Sequence, residues 1–320
     1  MRTSLPLVAA ACAAACALSS DPGTDPLHAE LPERVLMTSG TPFPAKWICG
    51  DQVDEPLLQV HWYDADTVIL RQSKRVDYEA PFLYLLFGDE RALLLDTGSR
   101  GEFRLRETID ALMAAREASV GHPLELVVAH SHGHGDHVAH DADFVDRPNT
   151  VVVSPRPQKL RAFWGFENWP NEVASYDLGG RRLDLLPTPG HERSHLAIWD
   201  ERTGVILSGD TFYPGFLFVF RPEAWADFDA SMRRLHAFAV ERGATALLGG
   251  HVEMSATPGV AYPYRTVEQP DETPLALSLD ELTEVIEALD ALTEPDFVTL
   301  DRIVLYPAYV GRQDDEEDDA

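Results

Sequence analysis

The sequence predicts an α/β (or α+β) fold, because short apolar runs alternate along the chain with longer segments of helical periodicity. Nine runs have the length and composition of β-strands and are bounded by turn-forming residues. These predicted strands lie at 57–61, 67–70, 82–87, 92–95, 124–129, 150–153, 182–186, 195–199 and 204–208. With 320 residues, the chain is long enough to bury the core of one large domain.

Three helices are predicted between and after these strands. The first covers 102–117, and Pro222 can open the second. The third begins at Ser278, where Glu281 three residues later completes a capping box. Their predicted buried faces contain Leu105, Ile109, Leu112 and Met113, then Trp225, Phe228, Met232 and Leu235, then Leu282, Val285, Ile286 and Leu289. Two mixed sheets with helices on their outer faces fit this order of elements.

The N-terminal segment predicts export. Arg2 precedes an alanine-rich apolar run of about 14 residues, which is too short to span a bilayer and typical of a signal peptide. We expect residues 1–19 to be that signal peptide, 20–45 to be a linker, and 46–310 to be the folded domain. The expected destination is the periplasm, a membrane-anchored lipoprotein or the secreted fraction.

A lipoprotein-type signal is the alternative to simple cleavage. Cys12 and Cys16 each follow three alanines, and a lipid anchor would be attached through Cys16 or Cys12. If the signal segment is cleaved after residue 19, or before a lipidated Cys16, Cys49 is the one cysteine left besides the lipidated one. No internal disulfide is therefore expected.

The charge of the chain limits its partners. There are 26 basic and 53 acidic residues, which give a formal net charge of −27. Such a field repels nucleic acids and anionic surfaces, so a small-molecule substrate is expected. Residues 311–320 include the run DDEEDD and are predicted to form a disordered acidic tail. The oligomeric state is left open.

Seven residues over about 120 positions predict a site for two metal ions. Five imidazoles and two carboxylates are the donors that adjacent zinc-like ions need, and glycines accompany them along the chain. The seven residues are His132, His134, Asp136, His137, His191, Asp210 and His251.

The spacing of the first four has a mechanical reason. His132 and His134 follow the predicted strand 124–129 and are two positions apart, so in an extended segment both can face one ion. Asp136 and His137 lie where the chain is expected to turn into a helix. Adjacent residues there point in different directions and can serve a second ion.

These phrases resemble the metallo-β-lactamase superfamily over roughly residues 55 to 255. The matching pieces are LLLDTGS (93–99), HSHGHGDH (130–137), TPGH (188–191), LSGD (207–210) and LGGH (248–251). The resemblance implies a four-layered αββα sandwich of two mixed sheets flanked by helices, with the ligand loops along one edge.

The resemblance also implies roles for individual residues. The first metal would be bound by His132, His134 and His191, the second by Asp136, His137 and His251, and Asp210 would bridge the two. Asp96 matches an aspartate that orients the ligand loop. His195 is expected to support the ligands as well, because it lies near the ligand phrases in the sequence. Asp136 and Asp210 are the expected catalytic carboxylates.

Departures within the motif narrow the activity that the resemblance implies. True β-lactamases of this superfamily have Cys or Ser where this chain has Asp210, and diiron oxygen reductases have Glu where it has His134. Glyoxalase II and lactonases share all seven ligands. We therefore expect a hydrolase with two divalent ions that cleaves an ester, thioester or lactone by a metal-bridging hydroxide, with zinc as the expected metal and iron or manganese as alternatives.

Three alternatives stay open at this stage. One is a persulfide dioxygenase of the same superfamily, which by the resemblance holds a single iron at positions matching His132, His191 and Asp210. The others are a β-lactam hydrolase and a metal-binding lipoprotein without catalytic activity.

Aromatic residues near the ligand phrases indicate an apolar substrate pocket. The expected pocket residues are Phe212, Tyr213, Phe216 and Trp164. Few basic residues accompany them, which favours a neutral acyl substrate over an anionic glutathione conjugate.

Overall fold

The structure, a computed structural model, describes residues 29–310. The predicted signal segment with Cys12 and Cys16, and the acidic tail 311–320, lie outside these residues. None of the helices in 29–310 has the length and apolar character needed to cross a bilayer.

The first sheet contains seven strands that lie side by side in chain order. They are β1 Val35–Thr38, β2 Leu58–Asp64, β3 Thr67–Gln72, β4 Phe82–Phe87, β5 Arg91–Leu95, β6 Glu125–Ala129 and β7 Thr150–Val152. The pairs from β2 to β5 are antiparallel, whereas β1 with β2, β5 with β6 and β6 with β7 are parallel. The sheet is therefore mixed, as predicted.

The second sheet has six strands in the order β14-β13-β11-β10-β9-β8. They are β8 Ala174–Asp177, β9 Arg182–Pro187, β10 Leu196–Asp200, β11 Val205–Gly209, β13 Ala246–Gly249 and β14 Ala276–Leu277. A third, small sheet consists of β12 Phe216–Val219, β15 Val298–Thr299 and β16 Val304–Pro307.

Six helices accompany the sheets within residues 29–310. They are α1 Leu105–Val120, α2 Gly135–Val138, α3 Asp141–Phe144, α4 Pro157–Trp164, α5 Trp225–Arg242 and α6 Leu279–Ala291, with a 3-10 turn at Pro222–Ala224 before α5. Ser278 and Glu281 form the predicted capping box of α6. The first helix begins at Leu105 rather than 102, because Arg104 takes a left-handed conformation with φ 65°.

Successive side chains of a strand point to opposite faces of its sheet, and they contribute in this way to three separate hydrophobic cores. In β4, Phe82, Tyr84 and Leu86 pack between the two sheets, whereas Leu83 and Leu85 pack with the buried face of α1. In β10, Leu196 and Ile198 join the core between the sheets, and Ala197 and Trp199 join the core under α5 and α6. The order helix, sheet, sheet, helix confirms the predicted four-layered sandwich.

The folded unit begins earlier than residue 46. Val35–Thr38, inside the segment expected to be a linker, pairs with β2 as the edge strand β1. Leu31 and Val35 also pack against the first sheet's outer core. The strand escaped the sequence pattern because it is short and an edge strand needs little apolar sequence.

A buried ion pair links the two sheets at the end of the sandwich where β9 begins. The Arg181 guanidinium donates to both oxygens of Asp200, at 2.9 and 2.7 Å, and both side chains are buried. Arg181 also donates to Thr67 Oγ1 and to the carbonyl of Phe87, in the first sheet. The two sheets are thus tied together at the end opposite the predicted ligand loops.

Candidate metal centre

All seven predicted ligands come together at one edge of the sandwich. The run 132–137 follows the end of β6, His191 follows β9, Asp210 follows β11 and His251 follows β13. Their side chains form two donor groups, each with donor atoms within 4.8 Å of one another. Rigid strand ends thus hold the loops that carry the polar side chains.

The first donor group consists of three imidazoles. His134 Nδ1 lies 2.9 Å from His132 Nε2 and 3.0 Å from His191 Nε2. His132 and His191 are buried, and His134 is half-buried at the wall of a cavity. Three nitrogen lone pairs converging on one point form a set that zinc accepts readily.

The second donor group combines imidazoles with carboxylates. His251 Nε2 lies 3.3 Å from both His137 Nε2 and Asp136 Oδ2, and 3.4 Å from Asp210 Oδ2. His137 Nε2 lies 3.4 Å from Asp136 Oδ2 and from Asp210 Oδ1. Such separations are those of donors arranged tetrahedrally about an ion at roughly 2.0–2.1 Å.

Asp210 faces both groups. Its Oδ2 lies 3.9 Å from His132 Nε2 and 3.7 Å from His191 Nε2, in addition to its approach to His251. Within residues 29–310, the other oxygen, Oδ1, is buried and accepts no hydrogen bond. A buried carboxylate oxygen without a partner is costly, and a bound cation removes that cost. The donor set therefore fits two divalent cations that share Asp210.

Three of the five ligand imidazoles are oriented by a hydrogen bond on their outer side. His137 Nδ1 lies 2.9 Å from Asp96 Oδ2, and Asp96 also accepts from Ser131 N at 2.7 Å. His191 Nδ1 lies 3.0 Å from the carbonyl of Phe218, and His251 Nδ1 lies 3.0 Å from that of Glu79. A carbonyl or carboxylate only accepts, so each Nδ1 carries the proton and Nε2 faces the centre.

His195 supports the centre from below. Its Nε2 accepts from the backbone N–H of Asp210 at 3.1 Å, and its Nδ1 lies 2.8 Å from Thr188 Oγ1. The ring also stacks on His132, with centroids 5.1 Å apart. Burial lowers the pKa of His195 well below its usual value, so the ring stays neutral and able to accept.

The pKa values of the ligands differ between the two groups. Burial lowers the pKa of His132 well below its usual value and that of His191 to about 4. In the second group burial acts the same way, but Asp210 and Asp136 outweigh it and raise the pKa of His251 to about 10. They also raise the pKa of His137.

The carboxylates are affected in the opposite sense. Burial raises the pKa of Asp136 and Asp210, but the neighbouring histidines outweigh it and keep both values well below their usual range. Near pH 7 both carboxylates are therefore ionised. The second group is a place of negative potential, which a dication can occupy instead of protons.

Two glycines have a steric reason to lie beside ligands. A Cβ on Gly250 would come within 2.4 Å of Asp210 Oδ1 and 3.0 Å of His137 Cε1. Gly209 has φ 49°, and a Cβ there would lie 2.7 Å from His195 Nε2. Both positions allow the ligand loops to approach each other closely.

A cavity of about 460 Å³ opens on the centre, and it corrects part of the predicted pocket. Tyr213 and Phe216 line it, but Phe212 and Trp164 do not. Phe212 packs in the core under α5, and Trp164, the last residue of α4, packs in the core between the sheets. Burying a large ring in a core is as favourable as exposing it to a pocket, so the residue type could not decide between them.

The cavity also has lining residues beyond the four that were expected. Phe218 lies in β12 and Phe220 directly after it, each two positions beyond the previous ring of the series that Phe216 begins. This period-two pattern is a signal that could have grouped the three rings on one face of the strand. Lys74, Glu79, Glu253 and Arg265 also line it. Lys74, Glu79 and Arg265 come from loops outside the ligand phrases, and Glu253 follows His251 by two positions without a pattern that marks it.

Comparison with known families gives a match to the metallo-beta-lactamase superfamily over residues 79–293. Among curated relatives, a beta-lactamase-like protein 2 homolog of Caenorhabditis elegans is 26% identical over 172 residues, which are 52% of this chain and 54% of that protein. A hydroxyacylglutathione hydrolase of Erythrobacter litoralis is 23% identical over 156 residues, 48% of this chain and 60% of that enzyme. The matches thus span little more than half the length of these relatives.

Solved structures give weaker similarities. A metallo-beta-lactamase family protein from Thermus thermophilus has a TM-score of 0.44 and 19% identity, and the match covers 71% of this chain and 80% of that one. A metallo-beta-lactamase from Pontibacter korlensis has a TM-score of 0.44 and 14% identity, over 73% of this chain and 100% of that one. Neither similarity bears on the activity.

Proposed function

The chain belongs to the metallo-β-lactamase superfamily, and we propose that it hydrolyses an ester, thioester or lactone with two divalent cations bound at the centre. Zinc is the proposed metal, since five imidazoles among seven ligands suit a borderline cation. The superfamily and the relatives named hydroxyacylglutathione hydrolase support a metal-dependent hydrolase. The bond that is cleaved and the number and identity of the ions are the proposal.

One observation carries the proposal. Asp210 lies between a three-imidazole group and a mixed group, with one oxygen within 3.9 Å of both and the other buried without a hydrogen bond from any residue of 29–310. A single ion would use only one of these groups. Two ions explain why the chain keeps both groups and a shared carboxylate.

Divalent cations bound here would lower the pKa of water towards neutrality and polarise a carbonyl oxygen. The chain's own residues determine where this chemistry takes place. Asp96 and the carbonyls of Phe218 and Glu79 fix the direction of three imidazoles. His134 and Asp136 are ligands that also line the cavity, so a substrate that enters it reaches the donor atoms directly.

The cavity favours an acyl group as the part that is bound. Phe218 and Phe220 stack with centroids 5.5 Å apart, and Phe220 lies 5.3 Å from the ring of His191. Burial of the apolar substituents of an acyl chain against these rings favours binding. The names of several relatives, which mention a hydroxyacylglutathione, support an acyl bond as the target.

The test begins with the metal content of the protein purified without chelator. We expect about two zinc or manganese ions per chain, and turnover on a panel of esters, thioesters and lactones that is lost on chelation and restored by the metal. One iron per chain, with oxygen consumption on persulfides, would instead identify the dioxygenase. Full metal occupancy without turnover on any member of the panel would contradict a hydrolase.

A further inference from the structure

A buried cation in the cavity wall has no role in the hydrolysis proposed above. Lys74, two residues after β3, is only 3% exposed and lines the cavity. Its ammonium donates a hydrogen bond to the carbonyl of Tyr78 at 3.1 Å. Among the described residues, 29–310, no carboxylate lies within ion-pair distance, 4.0 Å, of this nitrogen.

Such an ammonium is incompletely satisfied. It has three donor hydrogens, and a charge taken out of water is costly unless it is paired. Burial lowers the pKa of Lys74 to about 8, so the group is charged at pH 7. Glu253, also in the wall, is already used, since its Oε2 accepts from Tyr213 Oη and Phe216 N, both at 3.0 Å.

Lys74 is connected to the second donor group through the backbone. Its partner carbonyl belongs to Tyr78, and the carbonyl of the next residue, Glu79, orients His251. An anion held by Lys74 would therefore lie on the second group's side of the cavity. Arg265, whose guanidinium lies 5.6 Å from the ring centroid of Tyr78, adds positive charge to the same wall.

The first donor group borders a different surface. The ring of Phe220 lies 5.7 Å from that of His134 and 5.3 Å from that of His191, and Phe218 stacks on Phe220. Tyr306 of β16 packs against Phe218 at 4.9 Å and also lines the cavity. The cavity is therefore aromatic beside the first donor group, whereas Lys74 and Arg265 line it together with Glu79 and Glu253 beside the second.

We propose that Lys74 is a specificity-determining residue that binds a carboxylate of the substrate. On the proposed function, on which this inference rests, the substrate is an acyl compound with an apolar group on one side of the scissile bond and a carboxylate on the other. The Lys74 ammonium donates charge-assisted hydrogen bonds to that carboxylate and takes no part in bond cleavage.

Two esters of equal acyl length provide the kinetic test, mono-4-nitrophenyl glutarate and 4-nitrophenyl pentanoate. They differ in the terminal carboxylate. In Lys74→Met we expect the KM for the glutarate ester to rise about tenfold or more, with kcat nearly unchanged and the pentanoate ester unaffected. Lys74→Arg should restore part of the affinity. Lys159→Met, an exposed position on α4, is the matched control.

A binding measurement keeps the inference separate from hydrolysis. The metal-loaded protein is titrated calorimetrically with 4-mercaptobutanoate and with butanethiol, both of which have a thiol that binds metal. We expect the carboxylate to increase affinity in the wild type and not in Lys74→Met. The chain has three lysines, so protection of Lys74 from reductive methylation by 4-mercaptobutanoate can be followed by peptide mass spectrometry.

The outcomes are distinguishable. If the wild type hydrolyses neither ester, the hydrolase proposal loses support, but the two thiols still decide the role of Lys74. If Lys74→Met changes both esters and both thiols equally, or changes none of them, Lys74 is a structural charge and the inference is wrong.

Discussion

The two donor groups share Asp210 but differ in charge. His132, His134 and His191 add no charge of their own, whereas Asp136 gives the second group an additional carboxylate. Burial lowers the pKa of His191 to about 4, whereas in the second group Asp210 and Asp136 outweigh burial and raise the pKa of His251 to about 10. A cation in the first group would therefore be held by nitrogen lone pairs, and one in the second group mainly by negative potential.

The largest effect is expected from replacing Asp210, the residue that the two donor groups share. In Asp210→Ala both groups lose a donor, so metal content should fall well below two ions per chain and activity at least about a hundredfold. Elemental analysis and turnover measure these losses, and circular dichroism should show an intact fold. Asp227→Ala, at an exposed position in the first turn of α5, is the control. If Asp210→Ala without bound metal turned over substrate at the wild-type rate, the shared carboxylate would not be required for activity.

The next largest effect is expected from variants that each remove a ligand of only one donor group. His134→Ala should remove the first ion and His251→Ala the second, which would leave about one ion per chain in each variant. The reason is that His134 belongs to the first group only and His251 to the second only, whereas Asp210 lies within 3.9 Å of imidazoles of both. Metal content and competition with a graded chelator check this. Loss of both ions from both variants would show that the two groups act as one cooperative site.

A smaller effect should appear in the pH dependence of metal affinity. The second group's histidines have raised pKa values, so a dication binding there near pH 7 displaces protons. Its affinity should rise with pH, by about tenfold per unit for each proton displaced, up to about pH 10. Burial lowers the pKa of His132 and His191 in the first group, so the metal affinity of that group should depend less on pH. Chelator competition at several pH values on His134→Ala and His251→Ala measures each slope, and equal slopes would contradict the comparison.

Much of the fold and most of the centre were predictable from the sequence because their signals are local. The apolar run 82–87 coincides with β4, and the capping box at Ser278 starts α6 as predicted. The ligand phrases follow strand ends, so their spacing along the chain already placed polar side chains at one edge. The short strand β1 and helix α4 were not predicted, because each depends on a few contacts rather than on a periodic pattern.

The surroundings of the ligands required the tertiary structure. The carbonyls of Phe218 and Glu79 orient His191 and His251, yet a backbone carbonyl has no residue type that a sequence could show. Phe212 and Phe216 are four positions apart, but one lies in the core and the other at the cavity. Their difference depends on which way the chain turns after Asp210.

By itself, the sequence determined the ligand types, their spacing and the layered α/β class, because donor chemistry and strand alternation are properties of neighbouring residues. Only the tertiary structure decided that Asp210 faces both groups and that Lys74 lies in the cavity wall without a carboxylate partner among the described residues. Lys74 and His251 are far apart in sequence, and strand pairing in the two packed sheets brings their loops together. Electrostatic potential and burial depend on such long-range contacts, so no local pattern can encode them.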